Sequence, residues 1–149
     1  MSGWTGRIVV GFEGSLPSRQ AVRWAAHEAV RRHSALTVLF VLDAGGPATT
    51  AGAGPAGWWP GAALERARAL AQEGLALART VEPELTGFAH VQFGPRSARL
   101  VEASREADLL VVGTRGRGGF AGLLLGSVSQ RCTERAPCPI VVVPGPAAA

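Results

Sequence analysis

Three glycines and a serine late in the chain have the types and spacing of a phosphate-binding loop. They are Gly113, Gly116, Gly126 and Ser127, and they form the pattern G-x2-G-x9-G-S. Glycines let backbone N–H groups approach an anion with no side chain in the way. A helix N-terminus adds unpaired N–H groups and a partial positive charge, and a serine adds a hydroxyl donor. The chemistry that this pattern predicts is the binding of a phosphate group.

The loop matches some phosphate-binding patterns better than others. Arg115 and Arg117 flank the central glycine and are suited to pair with phosphate oxygens. A P-loop requires G-x4-G-K-[ST], which is excluded because the chain has no lysine. Gly116, Gly118 and Ala121 match the dinucleotide fingerprint G-x-G-x-x-A, although a long loop separates them from the next helix. A glycine-rich connector that binds nothing is the remaining alternative.

A buried strand and a helix are predicted on either side of the loop. The apolar run from Leu109 to Val112 ends on Gly113, as expected of a strand that is buried on both faces. Val128 and Cys132 follow the loop at helical spacing, and Ser127 is the predicted N-cap of that helix. The loop is therefore expected between the end of a strand and the start of a helix.

The rest of the chain alternates strands and helices in the same way. The predicted strands are Arg7–Gly11, Ala35–Leu42, Thr86–Phe93, Leu109–Val112 and Ile140–Val143, with helices to about His33, over Ala62–Val81, from Gly94-Pro95 to about Ala107 and to about Arg135. This order predicts a parallel sheet with helices on both faces, joined by right-handed crossovers. Ligands of such sheets bind beyond the carboxyl ends of the strands, where the strand order reverses. The FEGS turn after the first strand and the glycine loop after the fourth should therefore face one crevice.

Length and composition limit the class of protein. The 149 residues fit one domain, 1–149, with a loose tail at 144–149. Residues 44–61, which include Trp58-Trp59, are expected to form a flexible loop that is either a lid or a disordered insertion. The net charge of +4 does not indicate nucleic acid, because the basic residues are dispersed and Tyr is absent. No leader pattern and no apolar run of ~20 residues is found, so a cytoplasmic location away from membranes is expected.

The quoted motifs resemble the universal stress protein family over nearly the whole chain. The similar stretches are IVVGFEGS, ADLLVVG before the loop, GSVSQ at the helix start and APCPIVVVP. The resemblance implies an open, Rossmann-like sheet of five parallel strands in the order 3-2-1-4-5, of the adenine nucleotide alpha hydrolase-like type. It also implies a homodimer through the last strand, here residues 139–143.

The resemblance further implies that ATP, alone or with Mg²⁺, is the ligand. The triphosphate would lie on the glycine loop, and the adenosine would lie near Glu13 and Val41. The residues implied are Gly11, Phe12, Glu13, Ser15, Val41, Val112, Gly113, Arg115, Gly116, Arg117, Gly126, Ser127, Val128 and Ser129. Glu13 stands where the family usually has Asp, and its longer side chain predicts weak ATP binding and poor discrimination between bases.

Three functional hypotheses follow from these residues. The leading one is an ATP-binding stress-response protein that acts as a regulatory or interaction module, because no residue spacing marks a catalytic triad. A slow ATPase or phosphotransferase would need a carboxylate near the γ-phosphate, and Glu13 and Asp43 are the acids at the right strand ends. The third is a family member that has lost nucleotide binding and acts through its dimer surface.

Overall fold

One parallel sheet organises the computed structural model, which describes residues 6–43, 61–114 and 126–145. The strands are β1 (Arg7–Gly11), β2 (Ala35–Leu42), β3 (Gly87–Phe93), β4 (Leu109–Gly113) and β5 (Ile140–Val143), and the helices are α1 (Leu16–Arg32), α2 (Gly61–Val81), α3 (Arg96–Ser104) and α4 (Ser127–Arg135). The strand order is β3-β2-β1-β4-β5, and all four neighbouring pairs are parallel. The predicted fold class and strand order are therefore confirmed.

The sheet is buried on both faces at its centre. β1 pairs with β2 on one side and with β4 on the other. Successive side chains of a strand point to opposite faces, so Ile8 and Val10 join the core under α1 and α2, whereas Val9 joins the core under α3 and α4. All three are at most 2% exposed. This explains why the central strands have continuous apolar sequences rather than alternating ones.

Small residues let the helices α1 and α2 approach the sheet closely. The buried face of α1 consists mainly of Ala and Val, and Pro17 occupies its first turn, where no amide hydrogen is needed. In α2, a Cβ on Gly74 would lie 2.8 Å from both Phe12 Cδ2 and Val38 Cγ1. Glycine at this position therefore allows α2 to pack directly on Val38 of β2 and on Phe12, which follows β1.

The two outer strands differ in exposure. β3 is the less buried edge, with Phe88 52% and Phe93 40% exposed. All four residues of β5, the other edge, are half-buried. β3 and β5 are the two edge strands of the sheet, so the outer side of either one can pair with another chain.

A few of the predicted bounds need correction. The third helix ends at Ser104 rather than near Ala107, because the N–H of Ala107 turns back to the Ser104 carbonyl at 3.1 Å. The predicted loop at 44–61 lies outside the described residues except for Gly61, which begins α2. Most of the predicted tail at 144–149 also lies outside them. No helix among the described residues is long and apolar enough to cross a membrane.

Candidate functional site

A narrow cleft opens at the carboxyl ends of β1, β2 and β4. The strand order reverses there, because the chain passes from β1 to β2 on one side and later to β4 on the other. The cleft has a volume of about 60 Å³. Its walls come from all three strands and from the helices α1, α3 and α4.

The turn that follows β1 is held by hydrogen bonds around Ser15. Gly14 has a φ of 91°, which favours glycine over any other residue. Ser15 is the N-cap of α1, and its Oγ accepts the Ser18 N–H at 3.3 Å. Ser18 Oγ donates to the Ser15 carbonyl at 2.9 Å and accepts the Glu13 N–H at 3.3 Å. These contacts position Glu13 at the mouth of the cleft.

Both carboxylate oxygens of Glu13 are bonded to protein groups. Ser15 Oγ donates to Oε1 at 2.7 Å, and Arg96 Nη1 donates to Oε2 at 3.4 Å. Arg96 lies at the start of α3, 83 residues further along the chain, so the ion pair bridges the cleft. Each of the two side chains is 44% exposed, and ion pairs of this kind contribute only about 0–1 kcal/mol. Among the described residues that line the cleft, these two carry the charges.

Apolar side chains form the floor of the cleft. Leu39 and Val41 come from β2, Leu100 from α3 and Val112 from β4, and each is at most 5% exposed. A Cβ on Gly11 would lie 3.1 Å from Leu100 Cδ2, so glycine leaves this part of the cleft open. An apolar floor with a few polar groups at the rim is typical of a site for a small molecule.

Gly113 brings the end of β4 against the backbone of α1. A Cβ on Gly113 would lie 2.6 Å from the carbonyl carbon of Pro17, 2.7 Å from its oxygen and 2.9 Å from the nitrogen of Ser18. Only glycine therefore fits at this position without a backbone shift. Gly113 has a packing role that is independent of any ligand.

Gly126, and not Ser127, is the N-cap of α4, which corrects the sequence-based prediction. Gly126 has extended backbone angles (φ −67°, ψ 166°), and its carbonyl accepts the Gln130 N–H at 2.9 Å. Ser127 is thus the first helical residue. The buried Ser129 Oγ also donates to the Gly126 carbonyl, at 3.1 Å. The first-turn N–H groups have no intrahelical partner and belong to the same turn as Val128, which lines the cleft.

The structure brings half of the predicted site residues onto the wall of the cleft. Those residues are Gly11, Phe12, Glu13, Val41, Val112, Gly113 and Val128. Four more lie at the adjoining helix starts and not on the wall, namely Ser15, Gly126, Ser127 and Ser129. Arg115, Gly116 and Arg117 lie outside the described residues. Their contribution to phosphate binding stays a prediction.

Sequence reasoning missed four residues of the wall, which are Ser18, Leu39, Arg96 and Leu100. Leu39 lies two residues before Val41 in β2, so strand alternation was a sufficient signal for it. Ser18 is one helical turn from the Ser15 cap, which was a signal of the same kind. Arg96 and Leu100 share a face of α3 through their i, i+4 spacing. Nothing in the local sequence, however, connects that face with the turn after β1.

The acids and cysteines do not form a metal site in the part of the chain that the structure describes. No group of three or more His, Cys, Asp or Glu side chains is placed there to hold a metal ion. Asp43 follows β2 and is not among the residues that line the cleft. Cys132 and Cys138 are free thiols, and burial raises the pKa of the Cys132 thiol to about 11. Cys132 is therefore a packing residue of the core under α4.

The chain belongs to the universal stress protein family. The family model, described as the Universal stress protein family, matches residues 5–144. A universal stress protein of Mycolicibacterium smegmatis is 37% identical over 137 residues, an alignment that covers 91% of this chain and 45% of the relative. The chain spans about half the length of the curated relatives it matches.

Solved structures of similar proteins have the same Rossmann-like fold. The crystal structure of a universal stress protein in complex with cAMP is 28% identical and has a TM-score of 0.68, covering 93% of this chain and 95% of that chain. The universal stress protein from Archaeoglobus fulgidus in complex with dAMP has a TM-score of 0.71 at 21% identity, covering 96% and 99% of the two chains. The family and the fold predicted from the sequence are both confirmed.

Proposed function

We propose that this chain binds an adenine nucleotide, ATP in particular, in the cleft between β1, β2 and β4, and that it acts as a regulatory or interaction module in a cytoplasmic stress response. The observation that carries the proposal is the make-up of the cleft. An apolar floor at one end is continuous with the first turn of a helix at the other. These two surfaces suit the base and the phosphates of one ligand.

Each part of the ligand has a suitable partner in this proposal. The base would lie on Leu39, Val41 and Leu100, which are buried and apolar. The phosphates would lie at the first turn of α4, near Val128, where unpaired N–H groups favour an anion. Two solved structures of similar proteins, one in complex with cAMP and one in complex with dAMP, support an adenine nucleotide as the ligand.

Binding rather than hydrolysis is the proposed activity. Glu13 is the carboxylate on the described wall of the cleft, and its two oxygens are bonded to Ser15 and Arg96. No second carboxylate lines the described wall to share the tasks of holding Mg²⁺ and positioning an attacking water. Mg²⁺ would come with the nucleotide phosphates, as is usual for a cation that keeps several waters and few protein ligands.

A calorimetric titration with ATP, with a matched pair of glycine variants, tests the proposal. Gly11→Ala places a methyl group 3.1 Å from a flexible Leu100 methyl, inside the cleft, whereas a Cβ on Gly61 has no atom within 4 Å. We expect Gly11→Ala to fold normally and to bind ATP roughly 10-fold more weakly, since one methyl group in a pocket changes binding by about that factor. Gly61→Ala should bind like the wild type. Absence of binding to the wild type at millimolar ATP would refute the proposal.

A further inference from the structure

Arg96 occupies a position in α3 that is unfavourable for a cation. It is the first residue of the helix, and no acidic residue lies in the first turn to offset the partial positive charge there. Pro95, the N-cap, contributes no side-chain hydrogen bond either. The guanidinium instead reaches across the cleft to Glu13. A residue that violates a local preference and lines a cleft is a candidate for a functional role.

The Arg96–Glu13 pair presents a donor and an acceptor side by side at the mouth of the cleft. A guanidinium has five N–H donors in a rigid fork, and one of the two Nη nitrogens is bonded to Glu13 Oε2. A carboxylate has about four lone-pair positions. Ser15 and Arg96 occupy one on each oxygen. Arg96 and Glu13 can therefore stay bonded to each other and still form hydrogen bonds with one edge of a ligand.

The edges of the two purines differ in how well they match such a pair. Guanine presents its N1–H and N2–H₂ donors, which suit the carboxylate, next to the O6 and N7 acceptors, which suit a bidentate guanidinium. Adenine presents one donor group, N6–H₂, next to the acceptor N7, so it offers one hydrogen bond to the carboxylate and one to the guanidinium. A guanine base thus makes one more charge-assisted hydrogen bond than an adenine base with each member of the pair.

We infer that Arg96 and Glu13 together determine base specificity, and that the cleft accepts guanine nucleotides at least as well as adenine nucleotides. The inference rests on the proposed function, because it requires the base to lie at the Glu13 end of the cleft. The length of Glu13 is essential to it. An aspartate would be shorter by about 1.5 Å, one C–C bond, and would not keep the 3.4 Å contact with Arg96.

Parallel titrations with ATP and GTP test this inference on three variants. Arg96→Met keeps the aliphatic stem and removes every donor, and Glu13→Asp keeps the charge but shortens the acid. Arg23→Met is the matched control for lost charge, because Arg23 lies on α1 and is bonded to Gln20 at 3.2 Å, away from the cleft. Thermal melting of each variant verifies that it is folded.

We expect the wild type to bind GTP at least as tightly as ATP. Arg96→Met should weaken GTP binding by roughly 5- to 150-fold, the discrimination given by one good bidentate contact to a base, and should change ATP binding much less. Glu13→Asp should shift the preference towards ATP, and Arg23→Met should leave both affinities unchanged. A wild type that binds ATP far more tightly than GTP, with the same ratio in Arg96→Met, overturns the inference and leaves the proposed function intact. If neither nucleotide binds, both are wrong.

Discussion

Replacing Gly113 with alanine should destabilise the protein strongly, and the structure shows why. The new methyl group would lie 2.6–2.9 Å from three backbone atoms of Pro17 and Ser18. Ordinary carbon contacts are about 3.5–4.0 Å, so β4 and the start of α1 would have to separate by roughly 1 Å. No side-chain rotation can relieve the clash, because all three contacts are with backbone atoms.

The surrounding structure opposes that separation on both sides. β4 is paired with β1 and β5, and the N–H of Thr114 donates to the Val143 carbonyl at 2.9 Å. α1 is packed on the sheet by its buried alanines and Val22. Overpacking of a well-packed core usually costs about 1–3 kcal/mol. We expect a loss near the upper end, about 3 kcal/mol in the free energy of unfolding.

A thermal melt compares this variant with a glycine replacement that has no such contacts. For a domain of this size, about 3 kcal/mol corresponds to a fall in Tm of roughly 6–12 °C. Gly61→Ala has open space around the new methyl group and adds a better helix former, so its Tm should stay the same or rise slightly. A Gly113→Ala protein that melts within about 2 °C of the wild type would show that the backbone contact is unimportant.

Two further predictions concern β5 and the buried thiol. The N–H groups of Thr114 and Leu110 donate to the carbonyls of Val143 and Pro139, so the backbone N–H and C=O of Val142 point to the outer edge of β5. Val142→Pro should therefore leave β5 paired with β4 but abolish a dimer that forms through that edge. Sedimentation that finds the wild type only as a monomer would contradict this arrangement. Burial raises the pKa of the Cys132 thiol from 9.0 to about 11, so Cys132 should resist alkylation at pH 8 until the protein unfolds. Its ionisation should lower the free energy of unfolding only as the pH rises above about 9, where the thiol ionises in the unfolded chain first. Rapid alkylation of Cys132 in the native protein at pH 8 would contradict the raised pKa.

Much of the fold could be predicted because its central strands are buried on both faces. Continuous apolar runs such as Ala35–Leu42 give their bounds directly. The buried face of each helix was harder to predict, because apolar residues at helical spacing form a stripe wider than the face that is buried. The i, i+4 pattern that joins Ala26 to Val30 predicts that Val30 is buried, yet it is 39% exposed, since it lies in the last turn of α1. Leu75 of α2 is buried, although the helical spacing that joins Ala71, Gly74 and Ala78 leaves it out.

The site could be predicted only where its residues lie at the carboxyl ends of strands. Phe12, Glu13 and Gly113 lie at strand ends, and the parallel topology brings those ends together. Arg96 could not be found in this way. Its contact with Glu13 depends on where α3 begins relative to the sheet, which no local pattern encodes. The glycine motif was also ambiguous, because Gly113 is required for packing whether or not a phosphate binds.

The two ends of the cleft differ in how freely their residues can be exchanged. At Gly113 the wall is made of backbone against backbone, and any substitution affects the stability of the whole sheet. At Arg96 and Glu13 the wall is a half-exposed ion pair that contributes little to folding. Substitutions in this pair can therefore accumulate without unfolding the protein. In the proposed nucleotide complex, the residues that select the base could therefore be exchanged at little cost in stability, whereas Gly113 could not.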